Sequence, residues 1–425
     1  MAKQQFQTLR GMHDMIGEQA AQYDYLISQF VGVVAAAGYG HIETPMLEDA
    51  GLFVRGVGAD TDAVSKEMYV FTDRSDHEVA LKPEFTAGIV RSYIEQGMGS
   101  WPQPVKLFAY GPAFRYDRPQ AGRQRQFNQV DVEVLGETAS SVDAQVIMLA
   151  LRFFKRVRLG NVSLQLNSIG DGACRPKYRR ALVEYLEANG KRLAPVDRER
   201  VERNPLRVLD SKEPATLEVL SDAPQTLNHL CDACQAHFAG VLEYLDDLGV
   251  AYELNPLLVR GLDYYTRTVF EFYGEREGAQ ASLGGGGRYD GLVELLGGQP
   301  TPAVGFALGM ERIVLELEAA GALPQPAAIK RVYVASLGEP ARLAAFRLIE
   351  QLLDGGVAAV GAVDRDGIGS QLARADKLGV THAIIIGQKE VREETVILRD
   401  MASGAQEVLP LGAIVAELRT RFGVA

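Results

Sequence analysis

Phe114-Arg-Tyr-Asp-Arg-Pro-Gln-Ala-Gly-Arg-Gln-Arg-Gln-Phe127 lies between two runs in which apolar and polar residues alternate. The stretch from Val105 to Gly136 therefore reads as an antiparallel hairpin around a long polar turn, Asp117–Arg125. The quoted residues include Arg115, Arg118, Arg123 and Arg125 against one acid, Asp117. Clustered guanidiniums repel one another unless anions sit between them, and their planar forks match phosphate oxygens. A polyphosphate or a nucleic-acid backbone fits this loop; a solvated arginine-rich loop fits the spacing as well. Directly after it, Gln129, Asp131 and Glu133 fall on one face of a strand. Taken alone, that segment reads as an exposed sheet surface.

Upstream, Tyr23, Leu26, Ile27, Phe30, Val31 and Val34 recur at helical spacing, which predicts one amphipathic helix from Gln19 to Tyr39, ended by Gly38 and Gly40. His41–Glu48 follows as a strand whose pairing stops at Pro45, which has no N–H to donate. Such a helix and strand serve equally as a subunit interface or as a cover over a sheet. Downstream, a second β-rich block runs from Leu257 to Gly291, and a helix from Phe306 to Ala320. Between the two β-rich blocks, roughly Gly170 to Leu248, the chain is helical and charged, with breaks at Pro195, Pro205 and Pro214, and looks inserted. Ala319–Ile329 reads as a linker. Beyond it Arg331–Ser336, Val357–Val363 and His382–Gly387 (strands) alternate with Glu339–Gly355 and Ile368–Gly379 (helices), which predicts a small α/β domain with a parallel sheet.

At 425 residues the chain has room for two or three domains of about 150 residues. Its 47% hydrophobic and 23% charged residues exclude disorder and low complexity. No membrane partner is expected: the longest early apolar run, Phe30–Gly38, is short of the ~20 residues a span needs. Met1–Arg10 is too polar for a secretory signal, and three cysteines make no disulfide framework, so a reducing, cytoplasmic location is expected. The net charge of −11 excludes a broad basic surface, leaving any nucleic acid to be met by local patches or by shape.

Three further segments carry chemistry. Leu258–Glu271 places Arg260 and Asp263 beside Tyr264 and Tyr265, enough for a small polar pocket, though the phenols fit a core equally. Ser282–Asp290 contains Gly284 to Gly287, which lets backbone approach a ligand or simply makes a flexible loop. In Gly305–Ile313 a strand turns into a helix with Arg312 near its positive end, which suits a phosphate. Cys231, Cys234 and His237 recur at i, i+3 and i+6; they read first as a helix-packing cluster, with zinc as the alternative if Cys174 or His229 supplies a fourth ligand.

Together these segments resemble the signature motifs of class II aminoacyl-tRNA synthetases, and specifically the histidyl-tRNA synthetase family. The helix and strand ending at Pro45 are similar to the first motif, Phe114–Glu133 to the second and Gly305–Ile313 to the third. Arg260–Glu271 and Gly284–Asp290 are similar to two elements particular to the histidine enzymes. Nearly the whole chain is covered. The resemblance implies an α+β catalytic domain with an antiparallel sheet of six or seven strands over residues 1–325, a helical insertion at about 170–248, and an α/β anticodon-binding domain at 331–425. It implies ATP with accompanying Mg2+, L-histidine and tRNA(His) as reactants, and a homodimer. It also implies that Arg260 and Arg115 are catalytic and that Arg115, Arg125 and Arg312 bind ATP. Glu84, Thr86 and Gln129 would hold the amino acid's α-amino group, Glu133, Tyr264 and Tyr265 its imidazole, and Gln120 and Arg123 the tRNA acceptor end. Two positions depart from the family pattern: Phe85 stands where glycine is usual in Arg-Pro-Glu-Gly-Thr, with Lys82 in place of that arginine, and Asn128 where histidine is common. The alternatives are a non-catalytic, histidine-sensing regulatory paralogue of a biosynthetic phosphoribosyltransferase, and another class II synthetase. Retention of the arginines, the Arg260 element and the C-terminal domain favours the enzyme.

Overall fold

The structure, a computed structural model, describes residues 6–59, 61–276, 281–323, 330–361 and 367–424. Backbone contacts divide the chain into two units, Met1–Pro326 and Ala327–Ala425. In the first unit the strands run β1 (Gly40–His41), β2 (Leu47–Asp49), β3 (Val70–Thr72), β4 (Glu78–Leu81), β5 (Val105–Phe114) and β6 (Gln126–Leu135). They continue as β7 (Ser163–Ser168), β8 (Glu253–Leu254), β9 (Thr266–Tyr273), β10 (Ser282–Arg288) and β11 (Ala303–Gly309). Eight form one sheet in the order β1-β5-β6-β11-β10-β9-β7-β8. The six inner strands pair antiparallel, and β1 and β8 add a short parallel strand at each edge, extending the six or seven expected.

Alternation along the hairpin decides what lies on each face. Val130, Val132 and Val134 of β6 join Phe108, Phe270, Phe272 and Phe306 in one core. The helix Gly17–Ala36 covers that core with Leu26, Phe30 and Val34, and Ser140–Arg156 covers it with Ile147 and Phe153. Phe30 meets Phe153 edge-on at 5.5 Å between centroids. Leu107, Ala109, Phe85, Val269 and Tyr289 pack on the opposite face. Gln129, Asp131 and Glu133 point to this second side, and Asp131 and Glu133 are each 1% exposed. The exposed sheet surface expected there is therefore a buried polar wall.

The expected strand His41–Glu48 is split. β1 ends at His41, and β2 begins beyond Pro45 in a separate three-stranded sheet, β2-β4-β3. The glycine run is also not a loop: Gly284–Gly287 lie within β10, paired on both sides. A Cβ on Gly286 would sit 1.9 Å from the Gly305 carbonyl oxygen, so the close approach these glycines permit is to the neighbouring strand. In the middle region Pro195, Pro205 and Pro214 stand in the first turn of Pro195–Arg203, Pro205–Asp210 and Pro214–Leu220, where their missing N–H costs nothing. With Arg175–Ala188 they enclose a small core of Tyr178, Leu182, Leu186, Val208 and Leu209.

In the second unit β12 (Arg331–Ser336), β13 (Ala358–Gly361), β14 (His382–Ile386), β15 (Thr395–Asp400) and β16 (Gln406–Pro410) pair in the order β13-β12-β14-β15-β16. The first three are parallel, but β15 and β16 are antiparallel, correcting the all-parallel expectation. The links after β14 and β15 are too short for the dozen or more residues a parallel crossover needs. Ala362 and Val363 of the predicted second strand, and residues 324–329 of the predicted linker, lie outside the described residues.

Candidate active site

A cleft of about 590 Å³ opens on the polar side of β6, β10 and β11, within the 300–1,000 Å³ usual for ligand sites. Its walls carry both carboxylates and guanidiniums.

Among the carboxylates, Glu84 stands just before the helix Thr86–Glu95 and accepts that helix's first free N–H groups, from Thr86 at 2.9 Å and Ala87 at 2.7 Å. Tyr264 donates its hydroxyl to Glu84 at 3.3 Å. Thr86 Oγ1 donates to Glu133 Oε1 at 2.5 Å, and the Tyr289 hydroxyl donates to Glu133 Oε2. Gly305 on β11 makes room for that carboxylate, since a Cβ there would lie 1.7 Å from Glu133 Oε2. Asp131, beside Glu133 on β6 but not part of the cleft lining, has neither oxygen hydrogen-bonded among the described residues. Burial raises all three acids. It lifts Glu133 to about 8 despite the two hydroxyls, lifts Glu84 despite its helix N–H groups, and with Glu133 and Glu84 nearby pushes Asp131 well above the carboxylate range. A buried acid cluster held partly protonated favours a cationic ligand. Tyr264 and Tyr265 lie side by side, 4.6 Å between centroids, both buried and both with phenols raised first by burial.

Arginines line the same cleft. Arg115 is anchored through Nε to the Pro83 carbonyl at 2.9 Å. Arg312 is anchored to the carbonyls of Gly122 (3.2 Å) and Ser282 (2.6 Å). Arg260 pairs with Glu271 at 3.2 Å; burial opposes its charge, but Glu271 and the two tyrosines carry it above the ordinary guanidinium range. Burial and then Arg123, with Arg115 and Arg260 behind it, lower Arg312, the pattern of a cation cluster shaped for an anion. Arg123 reaches the cleft while paired with Asp117 and Glu67.

Arg125 does not line this cleft. Its guanidinium stacks 3.7 Å above the Tyr116 ring and its Nε donates to the Asp117 carbonyl. Gln120 turns the exposed tip of the hairpin by exchanging backbone hydrogen bonds with Arg123. Phe85, 1% exposed, faces the core beneath Lys82 Nζ at 4.0 Å and contributes no cleft surface. Asn128 donates through its backbone and side chain to Glu311, at 2.8 and 3.0 Å. Sequence reasoning missed Tyr289, Ser282 and Glu271 as site residues. Tyr289 was visible only as part of a glycine-run motif, and its role depends on a strand 156 residues away in sequence. His237, a weak zinc candidate, is taken instead by Asp143 at 3.1 Å. That carboxylate also binds the fully buried Arg288, and although burial raises Asp143, His237 and Arg288 bring it below its ordinary value.

A mainly antiparallel sheet whose cleft joins Glu133 from one strand and Glu84 from the loop before a helix to arginines from a hairpin and from the helix after β11 defines a class II aminoacyl-tRNA synthetase catalytic domain. Comparison with known proteins narrows the class. The family model described as Histidyl-tRNA synthetase matches residues 11–313, and one described as Anticodon binding domain matches 331–421, so the chain belongs to the histidyl-tRNA synthetase family. It is 46% identical to a histidine–tRNA ligase of Pelotomaculum thermopropionicum, over 97% of each chain, and 45% identical to one of Rhodococcus erythropolis, again over 97% of each. The crystal structure of apo histidyl-tRNA synthetase from S. aureus superposes with a TM-score of 0.82 at 34% identity, covering 98% of this chain and all of that one.

Proposed function

We infer that this chain is a histidine–tRNA ligase, which activates L-histidine with ATP to histidyl-adenylate and then transfers histidine to the 3′ end of tRNA(His), releasing AMP and pyrophosphate. The observation that carries the reading is one cleft lined by both groups: buried acids suit the ammonium and imidazole of histidine, and fixed guanidiniums suit a polyphosphate.

In this reading Glu84 and Thr86 take the α-amino group with Gln129 beside them, and Glu133, Tyr264, Tyr265 and Tyr289 enclose the imidazole. The histidine carboxylate attacks the α-phosphorus, and charge grows on its equatorial oxygens. Arg115 and Arg260 stabilise that charge without reorganising, because carbonyl and carboxylate partners already hold them in place. Arg312 holds the terminal phosphates. Arg125, stacked on Tyr116, supports the hairpin rather than touching ATP. ATP arrives with Mg2+ as substrate, and Arg123 and Gln120 meet the tRNA acceptor end. A polar pocket of this kind rejects amino acids without ring nitrogens by about 10⁴–10⁵, because its buried groups would be left unpaired. Residues 1–325 make up the catalytic domain and 331–425 the anticodon-binding domain. The working form is a cytoplasmic homodimer, which light scattering would report at about twice 46.3 kDa.

Histidine-dependent ATP–pyrophosphate exchange tests the reading, run on the full-length protein with and without tRNA. Exchange with histidine alone is expected. Its absence, with histidine still bound, would move the chain to the regulatory role.

A further inference from the structure

Outside the cleft, the ends of the helical segment are drawn together by sulfur. Asp171, Cys174, Cys231 and Cys234 place one ligand atom each within 4.8 Å of one another. Sequence spacing had grouped Cys231 and Cys234 with His237. The fold replaces that histidine with a cysteine and a carboxylate from about 60 residues upstream.

Three of the separations match those of a tetrahedral site, and all four atoms lie within 4.8 Å of one another. Thiolates ~2.3 Å from a tetrahedral zinc lie ~3.8 Å apart, and a carboxylate oxygen at ~2.0 Å lies ~3.6 Å from each sulfur. Cys174 Sγ and Cys234 Sγ are 3.8 Å apart; Asp171 Oδ1 is 3.6 Å from Cys174 Sγ and 3.9 Å from Cys231 Sγ. The surroundings match a metal-binding turn. The Asp171 N–H donates to Cys174 Sγ at 3.2 Å, and Ala173 N–H donates to Asp171 Oδ1 at 3.0 Å. Gly170 at φ +66° admits the sulfur where a Cβ would stand 2.4 Å from it. Cys174 and Cys231 are the N-caps of the helices Arg175–Ala188 and Asp232–Asp247, so two positive helix ends face the ligands. Arg267 lies 3.4 Å from the outer oxygen of Asp171 and offsets the anionic ligand set.

We propose that Asp171, Cys174, Cys231 and Cys234 form a structural zinc site that closes the neck of the helical segment. Coordination converts three thiols to thiolates and passes their protons to solvent. The clamp closes the loop between Cys174 and Cys231, which carries its own small core. It also braces the cleft: Arg175, next to Cys174, donates to the carbonyl of Tyr265, and Arg267, held by Asp171, follows Tyr265 by two residues.

Elemental analysis of the full-length protein, purified under reducing conditions without chelator, should find about one zinc per chain. Metal-stripped protein titrated with cobalt should show thiolate-to-cobalt charge transfer and the intense visible bands of a tetrahedral ion, both displaced by zinc. Cys174→Ser and Cys231→Ser should each weaken zinc retention against a chromophoric chelator by at least ~10-fold, while Asp171→Cys keeps or strengthens it. The cobalt spectrum of the wild type decides the matter even if a serine variant does not fold. The proposal is overturned by wild-type protein that holds no zinc and gives no thiolate–cobalt bands, by zinc whose retention ignores both serine changes, or by a metal-free chain whose mass shows a disulfide among these cysteines.

Discussion

Glu133 illustrates how burial sets chemistry at a single residue. With its pKa lifted from 4.5 to about 8 chiefly by burial, the folded, ligand-free protein keeps a proton that the unfolded chain has released. The sign follows: this residue's contribution to stability is greatest below about pH 4.5 and declines as pH rises toward 8. Glu133→Gln, neutral at every pH, should flatten the fall of the melting temperature between pH 5 and 8, measured by calorimetry without histidine, and should weaken histidine binding. Parallel pH profiles for the two proteins would show that Glu133 ionises normally. In the proposed mechanism Arg260 acts differently, on charge that develops only in the transition state. Arg260→Ala should lower the rate of pyrophosphate exchange by about 10²–10³ with a smaller change in histidine affinity. An unchanged exchange rate would remove Arg260 from the chemistry.

At the scale of elements, β10 is specified by what it cannot carry. Gly286→Ala would drive a methyl against the carbonyl of Gly305, backbone that cannot swing aside as a flexible side chain does. A loss of about 3 kcal/mol or more is expected from denaturant unfolding, and wild-type stability would mean that β10 and β11 are spaced more widely. How much of the architecture could be read in advance follows from the range of the signal. The hairpin Val105–Gly136 was legible because its alternation is local and each face buries a different core. The amphipathic helix was legible too, its place over the sheet being one of two readings, and so was the strand-to-helix turn at Arg312, although residues 306–309, read as the start of that helix, belong to β11. The burial of Asp131 and Glu133 was not legible, because a polar residue on one strand face looks the same whether water or another wall lies opposite. The split at Pro45 and the antiparallel β15–β16 pair depend on which strand becomes a neighbour, and residue spacing does not carry that. His237 shows the same limit: its helical phase matches Cys234, yet Asp143, 94 residues earlier, captures it.

For the whole molecule, the side chains proposed to handle phosphate and to bind histidine all fall in the first compact unit, and the C-terminal unit contains none of them. Residues 331–425 carry 11 basic and 12 acidic side chains, so that unit exerts little general pull on a polyanion. On the proposed function its part in recognising tRNA rests on shape, base contacts and a few local cations, and its effect on catalysis is to raise the effective concentration of the acceptor end at the active site. A chain ended after Pro326 should therefore keep histidine-dependent pyrophosphate exchange within about threefold of the full-length protein, since the guanidiniums and their anchoring carbonyls remain. The same fragment should aminoacylate tRNA(His) slower by about 10²–10⁴, the loss expected when a second tethering contact is removed. Measuring both half-reactions on both proteins separates the roles. If the fragment charges tRNA at the full-length rate, residues 331–425 do not bind tRNA productively; if it loses exchange as well while still folded, the second unit contributes to the first unit's chemistry.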